Sequence, residues 1–211
     1  MRLRRLTPLL LVAAFAICES HDLSDRIIDI SGIDTLSPAD ELVIEKRLTG
    51  DDCNAEACST PKMSFTRRDG RVQIRTNSAP IADSDTSFLL THQGRFRIVN
   101  EAGQTLVDQA GIADAHTVGK GGTAVLALTL TNSAAKRLAA LTTAPSYGER
   151  LRVELDSDTL STPTLTGPLS TSFQVSMSRP LDQIKLIARI LRSGELSFQP
   201  KGVTVQAASD S

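Results

Sequence analysis

The order of elements between Thr123 and Pro200 constrains this chain more than any other feature. TAVLALTL at 123–130 is a short apolar run read as a buried strand, and Asn132 directly after it suits a helix N-cap. Ala134, Leu138 and Leu141 then recur at helical spacing over 133–144, with Lys136 and Arg137 on the opposite side and Pro145 and Gly148 as stops. In LRVELD at 151–156, Val153 and Leu155 share one face while Arg152 and Glu154 share the other. Ser157-Asp158 reads as a turn, Leu160 to Leu165 as the return strand with Pro163 marking an edge, and FQVSM at 173–177 as a further strand. Pro180 sets the first turn of a helix over 181–193, where Leu181, Ile184, Ile187, Ala188 and Leu191 form the apolar face, and Gly194 stops it. With the closing tail RSGELSFQP, the pattern is βαββαβ, an α+β unit of the ferredoxin-like split βαβ type.

A smaller α/β-hairpin segment precedes this unit. RIIDI offers a strand. Ser37-Pro38 opens a helix with Asp40 and Glu41 in its first turn. MSFTRRDGRVQIRT reads as a hairpin turning at Asp69-Gly70. NSAPIADSDTS at 77–87 has loop composition, and FLLTHQGRFRIVNEAGQTLVD reads as three strands broken at Gln93-Gly94 and Ala102-Gly103. Arg95 and Arg97 alternate with Phe96 and Ile98, as on a strand with one wet face. The expected division is a leader at 1–20, an accessory segment at 21–87, a head at 88–202 and a polar tail at 203–211.

Arg2, Arg4 and Arg5 precede an apolar run from Leu9 to Ile17, which is the pattern of a secretory signal and is short for a membrane span. Ala14-Phe15-Ala16 offers a cleavage site; Cys18 is a candidate for lipidation, although Ile17 departs from the small residue usual before an acylated cysteine. Export implies an extracytoplasmic, periplasmic setting in which Cys53 and Cys58 are candidates for a disulfide that staples a surface loop. A metal site there lacks further ligands nearby, since His21, His92 and His116 are distant in sequence.

Several linked segments carry a family resemblance. GTAVLALTLTNSAAKRLAALT, LRVELDSDTLSTPTL, SFQVSMS and LIARILRSGEL, in that order, resemble the head subdomain in the first periplasmic region of the SecD protein-export family. The matching positions are Leu141-Thr142 after the helix, Asp156 at the strand end, Ser161 and Pro163 in a Ser-x-Pro segment, and Ser193, Gly194 and Leu196 in the Leu-Arg-Ser-Gly-x-Leu turn. The chain departs from the family at Ser176, where a glycine is usual, and at Ser197, where a proline commonly follows the leucine. The resemblance implies a head fold and a capacity to contact polypeptide or translocon proteins. It implies no proton-driven motor, because the family's transmembrane bundle has no counterpart in this sequence.

Side-chain chemistry points the same way. A net charge of −1 and aromatics at 3% give neither a basic nucleic-acid footprint nor a stacking platform. Asp156 and Asp158 lack the remaining ligands of a Ca²⁺ loop, and GKGG lacks the spacing of a phosphate loop. Asp114 and His116 share a strand face without a nucleophile context. The expectation is a non-catalytic envelope module without cofactor or metal, meeting the membrane only if Cys18 is acylated. A hydrolase built around His116 and a structural docking domain of a membrane complex are the alternatives.

Overall fold

The computed structural model describes residues 26–33, 35–49, 62–77, 81–120 and 123–207. Cys18, Cys53, Cys58, His21, the leader and the last four residues lie outside this set. The chain runs β1 (Arg26–Ser31), α1 (Pro38–Thr49), β2 (Met63–Arg68), β3 (Arg71–Thr76), α2 (Asp83–Thr91), β4 (Phe96–Val99) and β5 (Thr105–Asp108). It continues with β6 (Ile112–Lys120), β7 (Thr123–Leu130), α3 (Asn132–Leu141), β8 (Arg152–Leu155) and β9 (Asp158–Ser161). Last come β10 (Ser172–Ser176), α4 (Leu181–Ser193) and β11 (Gly202–Ala207). The architecture is α+β, with strands in the orders β11-β1-β3-β2, β10-β7-β6 and β5-β4-β8-β9.

The four strands expected between 123 and 177 to share one split βαβ sheet are divided between the second and third of these sheets. Both edges of β7 are taken, by its hairpin partner β6 and by β10, so none is left for β8. β8 instead pairs antiparallel with β4 and β9. The closing strand is not RSGELSFQP but β11, whose register against β1 runs from Arg26 opposite Ala207 to Ser31 opposite Gly202. Val203 to Ala207, assigned to the polar tail on composition, therefore belong to the first sheet.

Local signals explain most of the elements. Asp69 and Gly70 have φ of 48° and 70°, the left-handed pair that a two-residue hairpin turn needs. α1 opens on a reciprocal cap in which Ser37 Oγ accepts from Asp40 N and Asp40 Oδ2 accepts from Ser37 N, both at 3.1 Å. In α3 the cap is Thr131, one residue before the expected Asn132, its side chain accepting from Ala134 N at 3.3 Å. The segment 83–91, read as loop and then strand, is helix α2, so the expected junction at 87/88 falls inside a helix. Its adjacent residues Leu89 and Leu90 are buried in different clusters. A helix wedged between two cores shows no single apolar stripe, which hid it in the sequence.

One core joins α3 and α4 to the second and third sheets, and another joins α1 to the first. Helix α4 lies across β6 and β7 and buries Ile184, Ile187, Ala188, Ile190 and Leu191. Each such Leu or Ile stabilises by about 1.5–3 kcal/mol. Leu181, expected on that face, is exposed because it sits at the helix start, beyond the sheet.

Candidate functional site

Two strand edges face a common cleft. β9 pairs only with β8, and β10 only with β7, so each ends its sheet with one side unladdered. Pro163 lacks an amide hydrogen and follows β9 by two residues, which keeps that edge from extending. Past Pro163 the segment still pairs alongside the start of β8, with Leu151 N donating to Pro163 O and Leu165 N to Glu149 O, both at 2.8 Å. The chain then crosses to β10 in the second sheet. Buried Thr142 holds the crossing segment, donating to Leu138 O at 2.8 Å and accepting from Leu169 N at 3.2 Å.

The polar part of the cleft has a volume of about 660 Å³ and is lined by Thr159 to Pro163, Gln174, Ser176 and Arg179 among others. A smaller, more apolar hollow of about 260 Å³ shares Pro163 and Gln174 with it and is lined by Leu151, Val153, Leu165 and Phe173 among others. Ser161 Oγ donates across the cleft to Ser176 O at 2.7 Å. The hydroxyl thus occupies a carbonyl that an added strand would otherwise use.

A buried joint ties the end of α4 and the β8–β9 turn to the loop at 92–95. Arg47, in the last turn of α1, has no exposed surface. Its Nε donates to Ser193 Oγ at 3.1 Å, Nη1 to Leu89 O at 2.9 Å and to His92 O, and Nη2 to Gln93 O at 2.9 Å and Gly194 O at 2.8 Å. Burial lowers this guanidinium to about 10, and the Asp156 carboxylate works against that drop. Asp156 stands at the root of the β8–β9 turn with φ of 56°. Its carboxylate accepts from Gln93 N at 3.1 Å and from Gly94 N and Arg95 N at 2.9 Å each. Arg47 therefore ties down the C-terminal end of α4, and Asp156 ties down the β8–β9 hairpin, both onto the loop at 92–95.

The match that decides the family falls on this body. The family model for "SecDF, P1 head subdomain" covers residues 86–198, more than half of the chain. The chain belongs to the SecDF P1 head family. A solved structure described as "Structure and function of a membrane component SecDF that enhances protein export" superposes with a TM-score of 0.63 at 21% identity, over 84% of this chain and 97% of that one. A second, "Crystal structure of SecDF in Super-membrane-facing form", gives 0.66 at 19% identity, over 86% of this chain and 30% of that one. No curated protein matches. At these identities the superpositions show a shared fold, and they extend beyond the segment that the family model covers.

The eight positions on which the sequence resemblance was read separate into two groups in the fold. Asp156, Ser193, Gly194 and Leu196 gather at the joint, where Leu196 N donates to Gln93 O at 2.8 Å and Gln93 Nε2 to Leu196 O at 3.1 Å. Ser161 and Pro163 line the cleft, Thr142 anchors its crossing loop, and Leu141 packs on the core beside them. Asp156, read from the sequence as turn chemistry, is also the acceptor for three amides about sixty residues away. Arg47 was missed, because a basic residue in a last helical turn looks like an ordinary solvated dipole partner.

The departure at Ser197 has a physical role. Ser197 N donates to Asp40 Oδ1 and Ser197 Oγ to Asp40 Oδ2, both at 2.7 Å, and a proline could not make the first bond. Asp40 is 2% exposed. Burial alone would raise its carboxyl, but hydrogen bonds from Ser197 and Ser37 outweigh it and hold the group below its ordinary 3.8. The unfolded chain therefore binds this proton more tightly. The stabilisation is complete above the unfolded value and is lost as pH falls through the folded one. Between about pH 5 and about pH 3, wild type should lose stability more steeply than Asp40→Asn in urea midpoints. Parallel curves would remove Asp40 as the source.

His116 does not complete a catalytic site. Its Nδ1 lies 3.2 Å from Asp114 Oδ2 on β6, with both side chains about half exposed. Asp114 lines a small hollow with Lys46, Arg189 and Arg192, but His116 does not. Among the described residues, no cluster of three or more His, Cys, Asp and Glu is placed to hold a metal ion. No helix among them is long and apolar enough to cross a membrane.

Proposed function

We propose that this chain is a non-catalytic module of the cell envelope that binds extended polypeptide in the cleft between β9 and β10, in support of protein export. The observation that carries this reading is the pair of unladdered strand edges facing one cleft. An extended segment that displaces the Ser161 Oγ to Ser176 O bond can complete such an edge with main-chain hydrogen bonds, which are indifferent to sequence, while the apolar hollow takes a side chain. Membership of the SecDF P1 head family supports the link to export and to translocon proteins as partners. The basic and apolar leader supports an extracytoplasmic location, with Cys18 as a lipid anchor point and Cys53–Cys58 as a disulfide formed there.

Amide exchange tests the reading. Unfolded client proteins should slow exchange in 158–176 several-fold while leaving β1 and β3 unchanged. Unaltered exchange across a panel of clients would overturn it. A second reading, docking onto a membrane complex, draws on the likeness to 30% of a larger SecDF chain. Crosslinking in membranes would then capture a fixed partner and no clients. The hydrolase alternative draws no support from the hollow beside Asp114, which His116 does not line.

A further inference from the structure

We infer that the cleft discriminates among polypeptides by charge, with Arg179 as an acid-reading residue that favours extended segments carrying an aspartate or glutamate beyond an apolar anchor. The inference rests on the polypeptide-binding reading above and specifies its ligand. This part of the cleft is lined by hydroxyl and amide side chains, by Leu160, Pro163 and Pro180, and by Arg179, with no carboxylate. Six arginines among the described residues form ion pairs, among them Arg97 with Glu154 at 2.9 Å, Arg95 with Glu195 at 3.2 Å and Arg67 with Glu41 at 3.4 Å. Arg179 is half-buried, and among the described residues no carboxylate stands within ion-pair distance of it.

Acids on the elements that flank the cleft are committed elsewhere. Asp182 pairs with Lys185 at 3.3 Å, and Asp156 accepts the three amides of the 93–95 loop. Asp158 opens β9 but does not line the cleft. A half-buried guanidinium facing a cleft without an acid favours a carboxylate supplied by a ligand, and its planar fork accommodates one bidentately. The apolar hollow shares Pro163 and Gln174 with this part, so one extended chain can place a side chain over Phe173 and Leu165 and a carboxylate further along at Arg179. Strand geometry supports this division, because alternate residues of the bound segment face the same wall.

The test uses synthetic peptides in which Glu, Gln or Lys is walked stepwise away from a single leucine. Binding is followed by fluorescence anisotropy at low and high salt, with amide exchange locating the site. For the best-placed position, wild type should bind the Glu peptide roughly three- to tenfold more tightly than the Gln peptide, and the difference should shrink in salt. Arg179→Gln should equalise the two, and Arg179→Glu should shift preference to Lys. Both variants should keep the wild-type melting temperature, since Arg179 makes no ion pair in the fold.

Equal binding of all three peptides, with 158–176 still protected, would overturn the acid-reading role and leave the polypeptide site standing. Discrimination that persists in Arg179→Gln would overturn it too, by assigning the charge effect to another cation. Absence of protection with every peptide would remove the polypeptide-binding reading itself.

Discussion

Replacing Arg47 with methionine should cost about 3–5 kcal/mol of folding stability, seen as a lower urea midpoint with an unchanged slope. Methionine keeps an unbranched stem of similar reach, so the loss isolates the guanidinium. That group donates to four main-chain carbonyls and to the Ser193 hydroxyl, inside a region closed to water. Carbonyls deprived of a partner keep their desolvation penalty of about 1–3 kcal/mol each, though Gln93 O retains its bond from Leu196 N. Arg47→Lys should rescue little, because one ammonium cannot span α2, the 92–95 loop and the end of α4 together. Gly94 makes the crowding explicit: a Cβ there would lie 2.5 Å from Arg47 Nη2. A loss below about 1 kcal/mol would show that the joint is not what holds these elements together.

Asp156→Ala should cost about 3 kcal/mol or more, through two separable effects. Three amides lose a charged acceptor, and alanine must adopt a φ of 56° that favours glycine, asparagine or aspartate. Asp156→Gly removes only the first effect, so it should be milder by about 1 kcal/mol. Combining Asp156→Ala with Arg47→Met should cost clearly less than the sum of the two, since both act on the same loop and on each other's charge. Strict additivity in chemical denaturation would mean that the α4 end and the β8–β9 turn are held independently. Amide exchange at 93–95 and 156–161 should rise in Asp156→Ala well before global unfolding.

The limits of the sequence reading follow from the same residues. The caps at Ser37 and Gly194, the Asp69-Gly70 turn and the apolar faces of α3 and α4 were all readable, because each is dictated within a few residues. Leu181 was not, since whether a helix start reaches past its sheet depends on the partner. α2 was hidden because Leu89 and Leu90 serve different cores, and the period-based reading assumes one. The sheet assignment of β8 depended on which strand had already taken each edge of β7. Pro163 correctly marked an edge, yet nothing local showed that a second edge would face it. Arg47 and Asp156 are joined through segments some sixty to a hundred and fifty residues apart, and no motif of local spacing encodes that.

The meeting of β1 and β11 has a mechanical consequence. Arg26 and Ala207 stand opposite each other at one end of an antiparallel pair, so the chain enters and leaves this body at adjoining points. Tension applied through those two points peels the pair open from that end, loading its hydrogen bonds one after another rather than together. β11 would release first, and the Arg47 joint, buried deeper in the chain path, would feel the load only afterwards. A body arranged this way yields early at its margin under traction while keeping its cleft intact.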